Sequence, residues 1–517
     1  MIPDWMVGAN RPFDSILVAN RGEIAVRVLK AAKESGLRGV AIFSDPDTGS
    51  LHAEIADEAV HLPGTTLAET YLNADAIIAV ARDTGAQAIH PGFGFLSERA
   101  DFANAVNAAG LVWIGPPARA IETMGDKISA RRCMIEYGVP VIPGEEIAIS
   151  VGSDHLGVLA AAAARIGYPL LLKASAGGGG KGMRSVYEPK MLRTEYEAAA
   201  REATAAFGDG TVYVERLLTG ARHVEIQILA DSHGNCIHLN ERDCSLQRRH
   251  QKVIEEAPSP AVTTEIRDSM GKAAVQAAQA VDYEGAGTVE FLLSSKGDFF
   301  FLEMNTRLQV EHPVTEMITG IDLVQKQFEV AAGMHLGLTQ SDIGITGHAM
   351  EARIYAEDPS KGFLPAIGRL SMWQAPQGPG IRVDTGVREG DEVTVDFDPM
   401  LAKLIVHAPS RTAAARRLDI ALSNLHALGV TTNIGFLRQM ASNPTFLSGG
   451  ITTDYLDSTP ISEFAEPEPD HATLVAIAAA ANRFGLDRAG TGGVESIIDE
   501  HTGHSGDPFR TLSRSFP

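Results

Sequence analysis

Between Ser15 and Met124, short apolar runs of strand length alternate with Ala-rich stretches of helical length, and that alternation leaves few folds open. Ile16-Leu17-Val18-Ala19 reads as a buried strand. A helix from Gly22 to Ser35 follows, with Ile24, Val28, Leu29 and Ala32 on one face and Gly36 as its stop. Further apolar runs recur at Val40–Phe43, Ala59–Leu62, Ala86–Ile89 and Leu111–Ile114. Strands and helices in strict alternation predict a doubly wound parallel sheet. The first turn, Asn20-Arg21-Gly22-Glu23, lacks the three glycines of a dinucleotide fingerprint, which argues against a nicotinamide cofactor.

A chain of 517 residues accommodates about three domains. The expected division is 1–124 for this first domain, 125–344 for a central one, 345–456 for a smaller α+β domain, and 457–517 for a linker, a helix and a tail. The third domain is expected to hold strands at Met350–Ala356, Arg382–Thr385, Val393–Phe397 and Leu401–His407, with a helix from Thr412 to His426. Pro460, Pro467 and Pro469 mark the linker, and Asp470 and Gly485 bracket the tail helix. The formal net charge of -21 argues against nucleic-acid and anionic-membrane surfaces. Three cysteines without a C-x-x-C pair form no disulfide framework, which predicts a reducing cytoplasm. The first fourteen residues lack the apolar core of a signal peptide, and the longest apolar-rich stretch, Ala472 to Ala481, is too short to span a bilayer.

The strongest local signal is Lys173-Ala174-Ser175-Ala176-Gly177-Gly178-Gly179-Gly180-Lys181-Gly182-Met183, entered from a strand at Tyr168–Ala174. Its glycines let backbone N–H groups approach phosphate oxygens without Cβ interference. It is not a Walker A loop, because Gly182 stands where Ser or Thr should follow the lysine. A flap over a nucleotide fits Lys173 and Lys181; a surface loop is the plainer alternative. Next, Val289–Leu293 and Phe299–Glu303 read as a hairpin turning through Ser294–Asp298. If that hairpin is symmetric about its turn, Glu290 and Glu303 lie opposite each other and repel unless a cation sits between them. Asn305, Arg307 and Gln309 continue the same face by period two. Two Glu and an Asn offer the oxygen ligands Mg²⁺ prefers, against the alternative of a solvated hairpin face. Between these motifs, Arg242 to Lys252 packs four basic side chains and His250 into an acidic chain, either an anion site or a solvated face. His223, on the alternating segment Arg222–Gln227, reads as structural when taken alone.

Taken together, Asn20-Arg21-Gly22-Glu23-Ile24-Ala25, His90-Pro91-Gly92-Phe93-Gly94-Phe95-Leu96-Ser97-Glu98, Met124-Gly125-Asp126-Lys127, the glycine loop, Gln247-Arg248-Arg249-His250-Gln251-Lys252 and the run from Glu303 to Glu316 closely resemble the biotin carboxylases. The resemblance covers Ile16 to Leu456 in order. It implies an N-terminal Rossmann-like domain, a central ATP-grasp domain with a flap at about 142–216 and a C-terminal α+β biotin carboxylase domain. It further implies that Lys127 and Lys173 contact ATP phosphates under Gly179 and Gly180, that Glu215 to Leu218 hold adenine, and that His223, Gln247 and His250 line the nucleotide site. Glu290, Glu303 and Asn305 would bind two Mg²⁺ or Mn²⁺ ions. Lys252, Arg307, Gln309 and Val310 would hold bicarbonate, with Glu311 as the general base. Arg353 would stabilise the biotin enolate, with Phe93 nearby.

Phe93 departs from the Tyr of many relatives and removes one hydroxyl beside biotin. No Met-Lys-Met biotin acceptor is present, so biotin is expected on a separate carrier or in a further part of a longer chain. The expected partners are a biotin carboxyl carrier domain, a carboxyltransferase subunit and a second copy of this chain. Two rivals are another ATP-grasp ligase, such as a carbamoyl-phosphate synthase half, and a silent nucleotide-binding scaffold. Lys252, Arg307, Glu311 and Arg353 together speak against the first, and the intact metal and base positions against the second.

Overall fold

In the computed structural model, residues 12–147, 155–174, 183–207, 211–249 and 251–460 are described. The tail helix expected at Asp470–Gly485 lies outside them. The first strand, β1 (Ser15–Val18), is buried along its whole length. Its alternate side chains serve two layers: Ile16 and Val18 join Ile24 and Val28 of the helix α1 (Gly22–Glu34). Leu17 joins Val40, Ile77 and Phe102 on the opposite face. With β2 (Arg38–Phe43), β3 (Glu58–His61), β4 (Ala88–His90) and β5 (Val112–Trp113), the sheet runs in the order β3-β2-β1-β4-β5. Its described pairings are all parallel, as the alternation predicts. Gly36 stops α1 at a φ of +66°, a conformation glycine adopts without strain.

A small antiparallel sheet follows, from β6 (Gly144–Ile147), β7 (Leu170–Ala174), β8 (Met183–Val186) and β9 (Val212–Arg216), in the order β6-β9-β7-β8. The large sheet contains β10 (Arg222–Ala230), β11 (Cys236–Arg248), β12 (Gln251–Ala257), β13 (Gly285–Leu293), β14 (Phe299–Asn305), β15 (His348–Tyr355), β16 (Ile381–Thr385) and β17 (Met400–Ala408). Its order is β14-β13-β10-β11-β12-β15-β17-β16. The strands expected for a third domain therefore extend the central sheet: β12 pairs antiparallel with β15, from Ile254 against Ala352 to Ala257 against Ala349. Helix α2 (His312–Thr319) packs on β12, β15 and β17 through Val314 and Ile318.

Two local expectations shift. The helix expected to reach His426 ends at Ser423, because His426–Leu428 pairs with Met372–Gln374. Of the run Val393–Phe397, only Val393 pairs, and it does so together with the preceding Glu392 against Gly368–Arg369. Among the described residues no helix is long and apolar enough to cross a membrane, and the three cysteines are free.

Candidate active site

The hairpin β13–β14 sets the acidic pair. Leu293 pairs with Phe299 and Phe291 with Phe301, a register that by itself places Glu290 opposite Leu302. The register shifts by one between Glu290 and Phe291, and this bulge brings Glu303 opposite Glu290. The carboxylates face each other as expected, but not for the expected reason: a symmetric turn would not pair them, and the bulge does. Glu290 is buried; Glu303 is half-buried and lines a cavity of about 440 Å³. Lys127, Lys173, Tyr213, Glu215 and Arg307 line the same cavity. Lys127 opens a helix (Lys127–Glu136) capped by the Asp126 side chain. Lys173, at the end of β7, is ion-paired to Glu215 and held over the Tyr213 ring. Cationic side chains and an acidic edge around one cavity are what a metal-bound polyphosphate requires.

Burial and the facing Glu290 both push the Glu303 carboxyl up, with Lys127 opposing. Burial also works against ionisation of Glu290, but Lys252 and His223 outweigh it and hold the group well below the usual carboxylate range. His223 Nε2 lies 2.8 Å from Glu290 Oε2, and the side-chain amides of Asn305 and Gln309 each donate to Glu290 Oε1 at 2.8 Å. The oxygen donors of Glu290, Glu303 and Asn305 fit a hard divalent cation. Two further groups, His223-Glu225-Glu290 and Glu225-Cys244-Glu311, also bring ligand atoms together. Both surround the Lys252 ammonium, so their negative charge is answered by a lysine.

Lys252 Nζ donates to Glu225 (2.6 Å), Glu290 (2.9 Å) and Glu311. Glu311 is also bound by Arg353 Nη2 at 3.0 Å, while Arg353 Nε holds Glu255 at 2.6 Å. Burial disfavours a charged Glu311; Lys252, Arg353 and Arg242 more than offset it and hold its carboxyl below the ordinary range. Arg307 bridges Glu98 and Asn305, each at 2.9 Å. The Val310 carbonyl accepts from the fully buried Lys403 at 2.8 Å. Gln247 stands opposite Lys252 on the β11–β12 hairpin.

These contacts join Lys127, Lys173, Glu215, His223, Lys252, Glu290, Glu303, Asn305, Arg307, Gln309, Val310, Glu311 and Arg353 into one region. Phe93 instead packs beside the apolar layer under the parallel sheet, and its carbonyl accepts from Asn20. Leu218 is a half-buried residue after β9. Gly179, Gly180 and His250 lie outside the described residues. The basic run does not act as one patch: Arg242 is fully buried, bonded to Glu225, Gln227, Thr288, Gln309 and Thr315, and Arg248 stacks over Phe363. Sequence reasoning missed Glu98, Glu225, Arg242, Glu255 and Lys403 as members of the site. Glu225 was readable as the period-two neighbour of His223; Lys403 carried no such signal.

A carboxylate hairpin beside a lysine-lined cavity, beneath a small antiparallel sheet, defines an ATP-grasp ligase. Family models match in the same order: "Biotin carboxylase, N-terminal domain" over 12–121, "Carbamoyl-phosphate synthase L chain, ATP binding domain" over 126–339, and "Biotin carboxylase C-terminal domain" over 351–458. The methylcrotonoyl-CoA carboxylase alpha subunit of Dictyostelium discoideum is 51% identical over 91% of this chain and 67% of its own length. The propionyl-CoA carboxylase alpha chain of Ruegeria pomeroyi is 47% identical over 91% of this chain and 72% of its own. Among solved structures, the biotin carboxylase domain of Hydrogenobacter thermophilus 2-oxoglutarate carboxylase, in complex with MgADP, ADP and bicarbonate, is 45% identical. It covers 88% of this chain and 99% of that domain, with a TM-score of 0.84. The chain belongs to the biotin carboxylase family of ATP-dependent ligases. It spans about two thirds of the length of the curated relatives it matches.

Proposed function

We propose that this chain carboxylates biotin on a carrier protein, using ATP and bicarbonate, as the first half-reaction of an acyl-CoA carboxylase. The observation that carries the reading is Glu311, buried between Lys252 and Arg353 and joined through Lys252 to the Glu290 carboxylate. Bicarbonate enters against Lys252, Arg307, Gln309 and the Val310 backbone. As it draws Lys252 off Glu311, that carboxylate regains proton affinity and accepts the bicarbonate proton. The freed oxyanion attacks the γ-phosphorus of ATP, held by Lys127, Lys173, His223, Gln247, His250 and the Gly179-Gly180 flap, with adenine along Glu215 to Leu218. ADP leaves and carboxyphosphate forms. Divalent cations at Glu290, Glu303 and Asn305 would neutralise phosphoryl oxygens. Carboxyphosphate splits into CO₂ and phosphate; the phosphate takes the N1 proton of biotin, Arg353 steadies the enolate, and N1 attacks CO₂. Phe93 would border the biotin.

The proposed division at 124, 344 and 456 separates a Rossmann-like domain, an ATP-grasp domain whose flap at about 142–216 closes over the nucleotide, and a C-terminal biotin carboxylase domain. The carrier and the carboxyltransferase would lie on other chains or in a continuation of this one, and the catalytic unit would be a homodimer in the cytoplasm. The names of the relatives favour a propionyl- or methylcrotonyl-type acyl substrate for the assembly. The test is phosphate release by the purified chain with Mg²⁺, bicarbonate and free biotin. Biotin-dependent release is expected, with turnover abolished and ATP binding kept in Glu311→Gln. Release that ignores biotin, or loss of ATP binding in that variant, refutes the assignment.

A further inference from the structure

Behind Arg353 lies a second acidic pair that the reaction above does not use. Glu255 on β12 and Glu351 on β15 are register partners, so their side chains leave the sheet on the same face. Both are 0% exposed. Helix α2 packs over both strands, with Val314 and Ile318 beside Ala257, Ala349 and Ile405. Arg353 Nε occupies one oxygen of Glu255. The other Glu255 oxygen and both oxygens of Glu351 have no hydrogen-bond partner. The charged and titratable groups around the pair are Arg353 on β15, Lys403 on β17, Lys252 on β12, Cys244 on β11, and Glu311 and His312 at the start of α2.

Two facing carboxylates sealed from water, with three oxygens unanswered, form an arrangement that a single proton relieves. Bound to one carboxyl, it donates to the other, which removes one of the two facing charges and answers two of the three oxygens. The Arg353 contact marks Glu255 as the anion, which leaves the proton on Glu351. We propose that Glu255 is a positioning residue for the carboxylation, holding Arg353 against Glu311, and that Glu351 is the buried acid that shares its proton with Glu255. Burial pushes both groups up: Glu255 to about 7, with Arg353 and Lys252 opposing and Glu311 adding, and Glu351 well above the usual range, with Lys403 and Arg353 opposing and the Glu255 and Glu311 charges adding. A neutral Glu351 leaves the anions Glu255 and Glu311 matched to Arg353 and Lys252. The Arg353 guanidinium is then gripped from behind through Nε while Nη2 faces Glu311, so its plane is fixed when substrate replaces Glu311 as its partner.

This inference rests on Arg353 acting in the proposed carboxylation, so wild-type biotin-dependent phosphate release is measured first; its absence removes that reading and not the proton. Infrared spectroscopy of the whole chain at about pH 8 is expected to show a protonated-carboxyl C=O band that disappears in Glu351→Gln. No such band in the wild type, or its persistence in Glu351→Gln, overturns the shared proton. In Glu255→Gln, kcat should fall on the order of tenfold to a hundredfold with the KM for ATP unchanged. Glu255→Asp, which keeps the charge and guards against a folding failure of the first variant, should recover part of that loss. Wild-type kcat in Glu255→Gln, or an equal kcat loss in both Glu255 variants, overturns the positioning role.

Discussion

Replacing Lys252 with Met removes one ammonium from among three buried carboxylates while keeping most of the side-chain volume. Breaking a buried ion pair by deleting one partner costs about 3–5 kcal/mol, because the remaining charge is left unanswered. Three contacts do not triple that cost, since they share one cation. Each carboxylate also keeps another partner: Glu225 keeps Arg242, Glu311 keeps Arg353, and Glu290 keeps His223, Asn305 and Gln309. The expected loss is therefore near the lower end, about 3 kcal/mol. In the wild type Glu290 and Glu311 are held below the ordinary carboxylate range. Their contribution is complete above the unfolded value of about 4.3 and is lost as pH falls through their folded values. Lys252 is held above its ordinary range, so its contribution is complete below about 10.4 and lost as pH rises through its folded value. Without Lys252 the Glu290 and Glu311 carboxyls move up, so the deficit should be full near pH 8 and shrink toward pH 5, where one of them takes a proton. Urea unfolding of both proteins at about pH 8 and about pH 5.5 measures it. A deficit below about 1 kcal/mol, or one that is the same at both pH values, would show that Lys252 does not balance this charge.

Glu303→Gln removes the repulsion across the bulge, so the variant without metal should melt higher than the wild type while losing its stabilisation by MgATP, both read in one thermal-shift series. Arg307→Lys cannot bridge Glu98 and Asn305 at once; the KM for bicarbonate should rise about tenfold and the KM for ATP stay constant.

The first domain was legible because a parallel sheet covered on both faces writes itself as apolar runs of strand length, and the helix from Gly22 carries its own stop at Gly36. The acidic hairpin was legible as a hairpin but not in its register. A symmetric turn pairs Glu290 with Leu302, and nothing in the run Phe299 to Glu303 announces the extra residue that corrects it. The continuity of the large sheet was also hidden, because edge-to-edge pairing between strands almost a hundred residues apart leaves no periodic mark on either. For the same reason Glu255, Glu351 and Lys403 looked like ordinary alternating residues. Their importance comes from strands β12, β15 and β17 lying side by side, which is a property of tertiary pairing alone.

Joining β12 to β15 makes the boundary near residue 344 a seam in the sequence with no counterpart in the sheet. A protein cut there would leave the Gln251–Ala257 strand with a row of unanswered amides and carbonyls along one side and the apolar underside of α2 bare. Such an edge recruits whatever extended chain it meets, so the shortened fragment would clump rather than idle. A module joined outside the sheet leaves this seam intact, whereas one placed between its two halves must keep β12 and β15 paired.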